Sequence, residues 1–73
     1  MLTKDNVEFY FNLLKKRNII ADISQWFGFN EDGEYIVIRF TVSNRRSSYR
    51  TKKTDILEYI RNYKIEQIIN QNQ

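Results

Sequence analysis

Cysteine, histidine and proline are absent from this chain, and glycine occurs only twice, at Gly28 and Gly33. Each absence excludes something. Without Cys there is no disulfide, and without Cys or His a zinc site lacks its ordinary ligands. The same two gaps remove the imidazole base and the thiol nucleophile of the commonest catalytic dyads and triads. Two isolated glycines cannot make a phosphate-cradling loop. The acids Glu31, Asp32 and Glu34 lack the twelve-residue spacing of a calcium-binding hand. No apolar run approaches the ~20 residues needed to cross a bilayer, and the N-terminus has no charged-then-apolar leader pattern. The expectation is a non-enzymatic, cytoplasmic binding protein with no cofactor, no metal and no membrane partner. With no proline, repeat or low-complexity tract to act as a linker, residues 1–73 read as a single domain, the polar tail Asn70–Gln73 fraying at its end.

What the chain does have is bulk. Ten Ile, five Phe, five Tyr and one Trp are a dense supply of core-filling side chains for 73 residues. A domain of this size buries only about 60% of the surface its unfolded chain exposes, so packing has to be efficient. Charge is nearly balanced, at +3, but unevenly placed. Five cations and no acid lie between Arg45 and Lys53, whereas Glu31, Asp32 and Glu34 gather in a turn. A bipolar surface follows, and local fields matter more to a charged partner than net charge does.

Periodicity predicts the elements. Val7, Tyr10, Phe11 and Leu14 recur at helical spacing, giving a first helix over about Lys4 to Arg17, with Thr3 or Asp5 as cap and Glu8 three residues after Asp5. From Ile19 to Phe29 the pattern alternates. It sets Ile19, Ala21, Ile23, Phe27 and Phe29 on one face of a strand and Asp22, Ser24 and Trp26 on the other. Asn30-Glu31-Asp32-Gly33 is a hairpin turn, and Glu34 to Ser43 a second strand with Ile36, Ile38, Phe40 and Val42 inward. A four-residue loop would set Phe27 opposite Ile36, Ile23 opposite Phe40 and Ala21 opposite Val42. Gln25 would then fall opposite Ile38 on the buried side, so a bulge or a partner for its amide is expected there. Ser47 to Thr51 reads as a short third strand, and a second helix starts near Asp55, capped by Thr54 or Asp55.

That second helix carries two apolar faces. Ile56, Tyr59, Ile60 and Tyr63 share one arc, whereas Ile65 and Ile69 fall opposite and Ile68 between. Either the helix breaks near Asn62 so that one core takes all of them, or Ile65, Ile68 and Ile69 form a ridge for a homodimer or another partner. The fold expected is α+β: a small antiparallel two- or three-stranded sheet with two helices on one face, order α-β-β-(β)-α. Its core comprises Val7, Tyr10, Phe11, Leu14, Ile23, Phe27, Ile36, Ile38, Phe40, Ile56 and Ile60.

The candidate site is the basic stretch entering the second helix. In a loop, Arg45, Arg46, Arg50, Lys52 and Lys53 would grip phosphates, Ser and Thr hydroxyls would add donors, and Tyr49 would stack on a base. The competing reading is a solvated, solubilising charge run. Trp26, Tyr35, Val37 and Arg39 would share the face opposite the core, unless a helix or third strand covers it and takes Trp26 inside. The element order, with Lys52-Lys53 before the last helix, resembles the double-stranded-RNA-binding domain, in which a lysine pair there meets phosphates. This chain lacks the small-residue-rich helix that follows those lysines, so the resemblance bears on fold alone. The expected function is regulatory binding of nucleic acid or of a nucleoprotein complex through the basic loop. The alternative is an inhibitor of the phage or plasmid type that blocks a host protein, anchored by Trp26, Tyr35 and Arg39.

Overall fold

The computed structural model describes residues 2–71, in the order α1 (Lys4–Lys16), β1 (Gln25–Asp32), β2 (Tyr35–Val42), β3 (Arg45–Lys52) and α2 (Lys53–Gln71). The strands form one antiparallel sheet, β1-β2-β3, with β2 central. Both helices lie on the face carrying Ile36, Ile38 and Phe40, and the core joins these to Val7, Tyr10, Phe11, Leu14, Ile56 and Ile60. The third strand is therefore real, and at eight residues it is longer than the pattern over Ser47–Thr51 suggested. Among the described residues no helix is long and apolar enough to cross a membrane.

Thr3, not Asp5, caps α1: its hydroxyl accepts from the Asn6 amide at 3.2 Å. The far end of the helix explains why β1 begins six residues later than its alternation implied. Asn18 takes a left-handed φ of 59°, the Asn18 amide donates to the Lys15 carbonyl, and the Ile19 amide donates to the Leu14 carbonyl. This is a Schellman closure, and it commits the backbone of Asn18 and Ile19 to ending the helix rather than to a sheet. The Ser24 amide then bonds back to the Ala21 carbonyl in a turn. Ile19 and Ile23 are left exposed, the latter at 63%, so Ile23 does not belong to the core.

The β1–β2 register also differs from the one alternation implied. The hairpin turn is the two-residue Gly33-Glu34, with Gly33 at φ 60°, and it pairs Asp32 with Tyr35, Phe29 with Ile38 and Trp26 with Phe40. The pairing slips between Trp26 and Gly28. The expected irregularity thus exists but falls at Phe27 rather than at Gln25. Gly28 adopts φ 152° there, which any residue with a Cβ rarely adopts, and an added Cβ would meet no atom within 4 Å. Glycine is required for its backbone, not for space.

The bulge reverses the facing of its neighbours. Trp26 turns inward onto Phe11, with ring centroids 5.6 Å apart, and Phe27 turns outward, 52% exposed. Phe27 is thereby removed from the core and Trp26 from the open face. Phe29, beyond the extra residue, packs inward again. At the other end of β2, Ser43 and Asn44 both take positive φ, 52° and 66°, as a two-residue I′-type turn into β3 requires.

The helix α2 follows β3 without a loop. It starts at Lys53 rather than near Asp55, and the Lys53 amide, which has no partner within the helix, is satisfied by the Glu34 carbonyl at 2.9 Å. No break occurs near Asn62. Of the tail expected to fray, Asn70 and Gln71 lie within α2, and Asn72 and Gln73 fall outside the described residues. Ile56 and Ile60 enter the core, but Ile65, Ile68 and Ile69 stay 47%, 59% and 53% exposed. The two apolar faces are thus two surfaces. The end of α1 is tied to α2 by Arg17, which donates to the Tyr59 hydroxyl at 3.2 Å and to Glu66 at 2.9 Å while lying over the Tyr59 and Tyr63 rings.

Tyr10 lies edge-on to Tyr59, with ring centroids 5.3 Å apart, and near Tyr49. Burial pushes its phenol well above the ordinary value of 10.0, and Tyr49 beside it pushes the same way. The folded state therefore keeps a proton that the unfolded chain releases from about pH 10. This contribution to stability is whole below that pH and is lost as the pH rises through the folded value. Urea midpoints measured from about pH 8 to 11 should fall above about pH 10, and the fall should be shallower in Tyr10→Phe. An equally steep fall in that variant would assign the effect to other groups.

Candidate nucleic-acid interface

The open face of the sheet is built by the alternation of β2 and β3. With Ile36, Ile38 and Phe40 inward, Tyr35, Val37, Arg39 and Thr41 face out, and their partners across the ladder are Lys52, Arg50, Ser48 and Arg46. The outward side chains of β3 are thus Arg46, Ser48, Arg50 and Lys52. Six steps of ~3.3 Å from Arg46 to Lys52 make this row roughly 20 Å long. Arg39 stands beside Ser48, at the one uncharged position, so four cations form a nearly continuous track. Among the described residues no helix covers it.

Two aromatic rings hold the arginines in place. Phe27, pushed outward by the bulge, has the Arg39 guanidinium 5.2 Å from its centroid and that of Arg46 at 5.3 Å. Tyr35 carries Arg50 at 4.1 Å. Such stacking is worth ~0.5–1 kcal/mol at exposed sites, and it orders the guanidinium forks while leaving their N–H edges free to donate. The acid that meets the track is Asp32, 3.4 Å from Arg50. Both partners are largely exposed, so the pair contributes little and yields readily to a stronger anion.

The residues singled out in the basic stretch do not form one loop; they are divided between faces. Arg46, Arg50 and Lys52 share the open face. Tyr49 faces the helices, half-buried at 6.4 Å from Tyr10, and is not placed to stack on a base. Arg45 is paired with Val42 and has the helix-side parity. Lys53 belongs to α2, its Nζ 3.5 Å from Glu31, so the Lys52-Lys53 pair is split. Of the second group, Tyr35 and Arg39 lie on the open face and Trp26 does not. Ile65, Ile68 and Ile69 are on α2, outside the sheet.

The residue that alternation missed is Phe27, which it assigned to the core. A glycine inside a strand pattern was the available signal, since Gly28 there marks a bulge. Arg39 was read only as a protein anchor, because its place beside β3 depends on a strand pairing that no local pattern specifies. Comparison of this chain with known protein families, curated proteins and solved structures finds no match in any of the three. The chemistry of the site has to be read from its own residues.

Proposed function

We propose that this chain is a non-catalytic regulatory binding protein whose open sheet face engages the phosphate backbone of a nucleic acid, free or within a nucleoprotein complex. The observation that carries the reading is the track of Arg39, Arg46, Arg50 and Lys52, three of whose guanidinium groups are already ordered on Phe27 and Tyr35. A line of cations about 20 Å long suits an extended polyanion better than a single phosphate, and Arg forks bind phosphate bidentately. Ser48 and Thr41 add hydroxyl donors between the charges. With a guanidinium over each ring and no Asn or Gln row aimed outward from β2 or β3, the face grips the backbone rather than reading base edges. Sequence specificity of the isolated chain is accordingly low.

The test is a salt titration of binding to duplex DNA, duplex RNA and single strands. Four phosphate contacts give a log-log slope near minus three to minus four on duplex DNA. Absence of binding to all three at about 50 mM salt, where electrostatic association is favoured, would overturn the proposal.

A further inference from the structure

We infer that the outward side of α2 is a docking groove for an acidic amphipathic helix of a partner protein. A groove of about 350 Å³ runs along this helix, lined by Leu57, Ile60, Arg61, Lys64, Ile65 and Ile68, with Asn6 of α1 as its other wall. Leu57 and Ile68 are eleven residues apart, so the apolar stripe spans about three turns, or ~16 Å. A short helix seating side chains at i, i+3 or i+4, and i+7 needs ~10.5 Å, which fits within that stripe. Ile65, Ile68 and Ile69 add a half-exposed ridge that a small domain short of core area would otherwise bury.

Charge selects the occupant. Arg61 and Lys64 sit in the middle of the lining, and no acid is among the lining residues; Glu58 borders the groove at its N-terminal end, in a neighbouring depression that shares Leu57 and Arg61. At the other side of the helix, Glu66 is engaged by Arg17. Carboxylates flanking an apolar stripe would therefore be matched, and cations opposed. A second copy fits poorly. Laid antiparallel so that Leu57 covers Ile68, it sets Arg61 against its Lys64, and one leucine with three half-exposed isoleucines falls well short of the ~800 Å² per partner of a standard interface. A narrow apolar stripe with two cations also suits a seated helix better than a lipid surface, which would need a broad apolar face and more positive charge. The groove belongs to the helix layer and the basic track to the uncovered face of the sheet, so both can be occupied at once.

The experiment uses two labelled synthetic helical peptides with the same leucine stripe, one flanked by glutamates and the other by lysines. Binding is followed by fluorescence anisotropy and by amide shifts of the full chain. The glutamate peptide is expected to bind at least ~10-fold more tightly, moving the amides around Leu57, Ile65 and Ile68. R61E/K64E should reverse the preference. I65S/I68S, which replaces two half-exposed residues and none of the core, should abolish binding of both peptides and leave duplex binding by the sheet face unchanged. Equal binding of the two peptides, no binding of either, or shifts confined to the sheet would overturn the inference. So would a dimer in light scattering that I68S dissociates, or anionic phosphatidylglycerol vesicles moving the same amides while the glutamate peptide does not.

Discussion

Replacing Arg39, Arg46 and Arg50 together by glutamate should abolish nucleic-acid binding in the range where the unaltered chain is expected to bind, and should remove most of the salt dependence with it. Each phosphate contact contributes about 0.9 to the log-log slope on duplex DNA, so losing three of four leaves a slope near minus one. Between about 50 and 200 mM salt, four contacts are worth roughly a hundredfold in affinity, and reversal adds repulsion to that loss. Individual substitutions distinguish the two faces of β3. Arg46→Ala should flatten the slope by about one unit, whereas Arg45→Ala, one residue away but on the helix side, should barely change it. The fold is not at risk, because all four side chains are outside the core. Equal effects of Arg45→Ala and Arg46→Ala would mean that the strand's facing plays no part in binding, and the track would lose its meaning.

Phe11→Ala should bring the domain close to unfolding, whereas Phe27→Ala should hardly disturb it. Phe11 is 1% exposed and makes aromatic contacts with both Trp26 and Phe40, at centroid distances of 5.6 and 5.5 Å. Truncating such a ring costs ~3–5 kcal/mol, from lost transfer energy and from a cavity that the neighbouring rings cannot fill. At ~0.05–0.15 kcal/mol per residue the whole domain has on the order of 4–11 kcal/mol to lose, so the variant gives up from about a quarter to all of it. Phe27 lies on water, held chiefly against two guanidiniums, and its removal should cost about 1 kcal/mol or less. It should nevertheless weaken nucleic-acid binding by freeing Arg39 and Arg46. Urea unfolding of the two variants decides the matter. A Phe27→Ala cost comparable with that of Phe11→Ala would place Phe27 in the core and contradict the bulge.

These two phenylalanines show what local pattern reaches and where it stops. Phe11 belongs to a helix whose 3.6-residue period is carried by Val7, Tyr10 and Leu14, so its facing follows from its neighbours in the chain. Strand β2 is equally legible, since Ile36, Ile38 and Phe40 alternate without a defect and all three are buried. Phe27 belongs to a strand whose period two is broken by one extra residue, and a single bulge inverts every assignment before it. The Ile19–Ser24 segment misleads for a different reason: its alternation is real, but the Ile19 and Ile20 amides are used to close α1 and the Ser24 amide closes a turn on Ala21. Alternation describes side chains, and strand formation also needs free backbone groups.

By itself the sequence determined the class of fold, the two helices, the central strand and most of the core, because these rest on periodicities that a chain displays locally. It also determined that charge concentrates between Arg45 and Lys53, and that α2 carries more apolar surface than one face can bury. Only the tertiary structure decided which of those charges act together. Pairing of β2 with β3 brings Arg39 beside Arg46 and Arg50, turns Tyr49 and Arg45 to the helices, and leaves one face of the sheet in solvent. That outcome depends on strand register and on which layer the helices cover. Both are set by contacts between residues distant in the chain, and no window of sequence contains them.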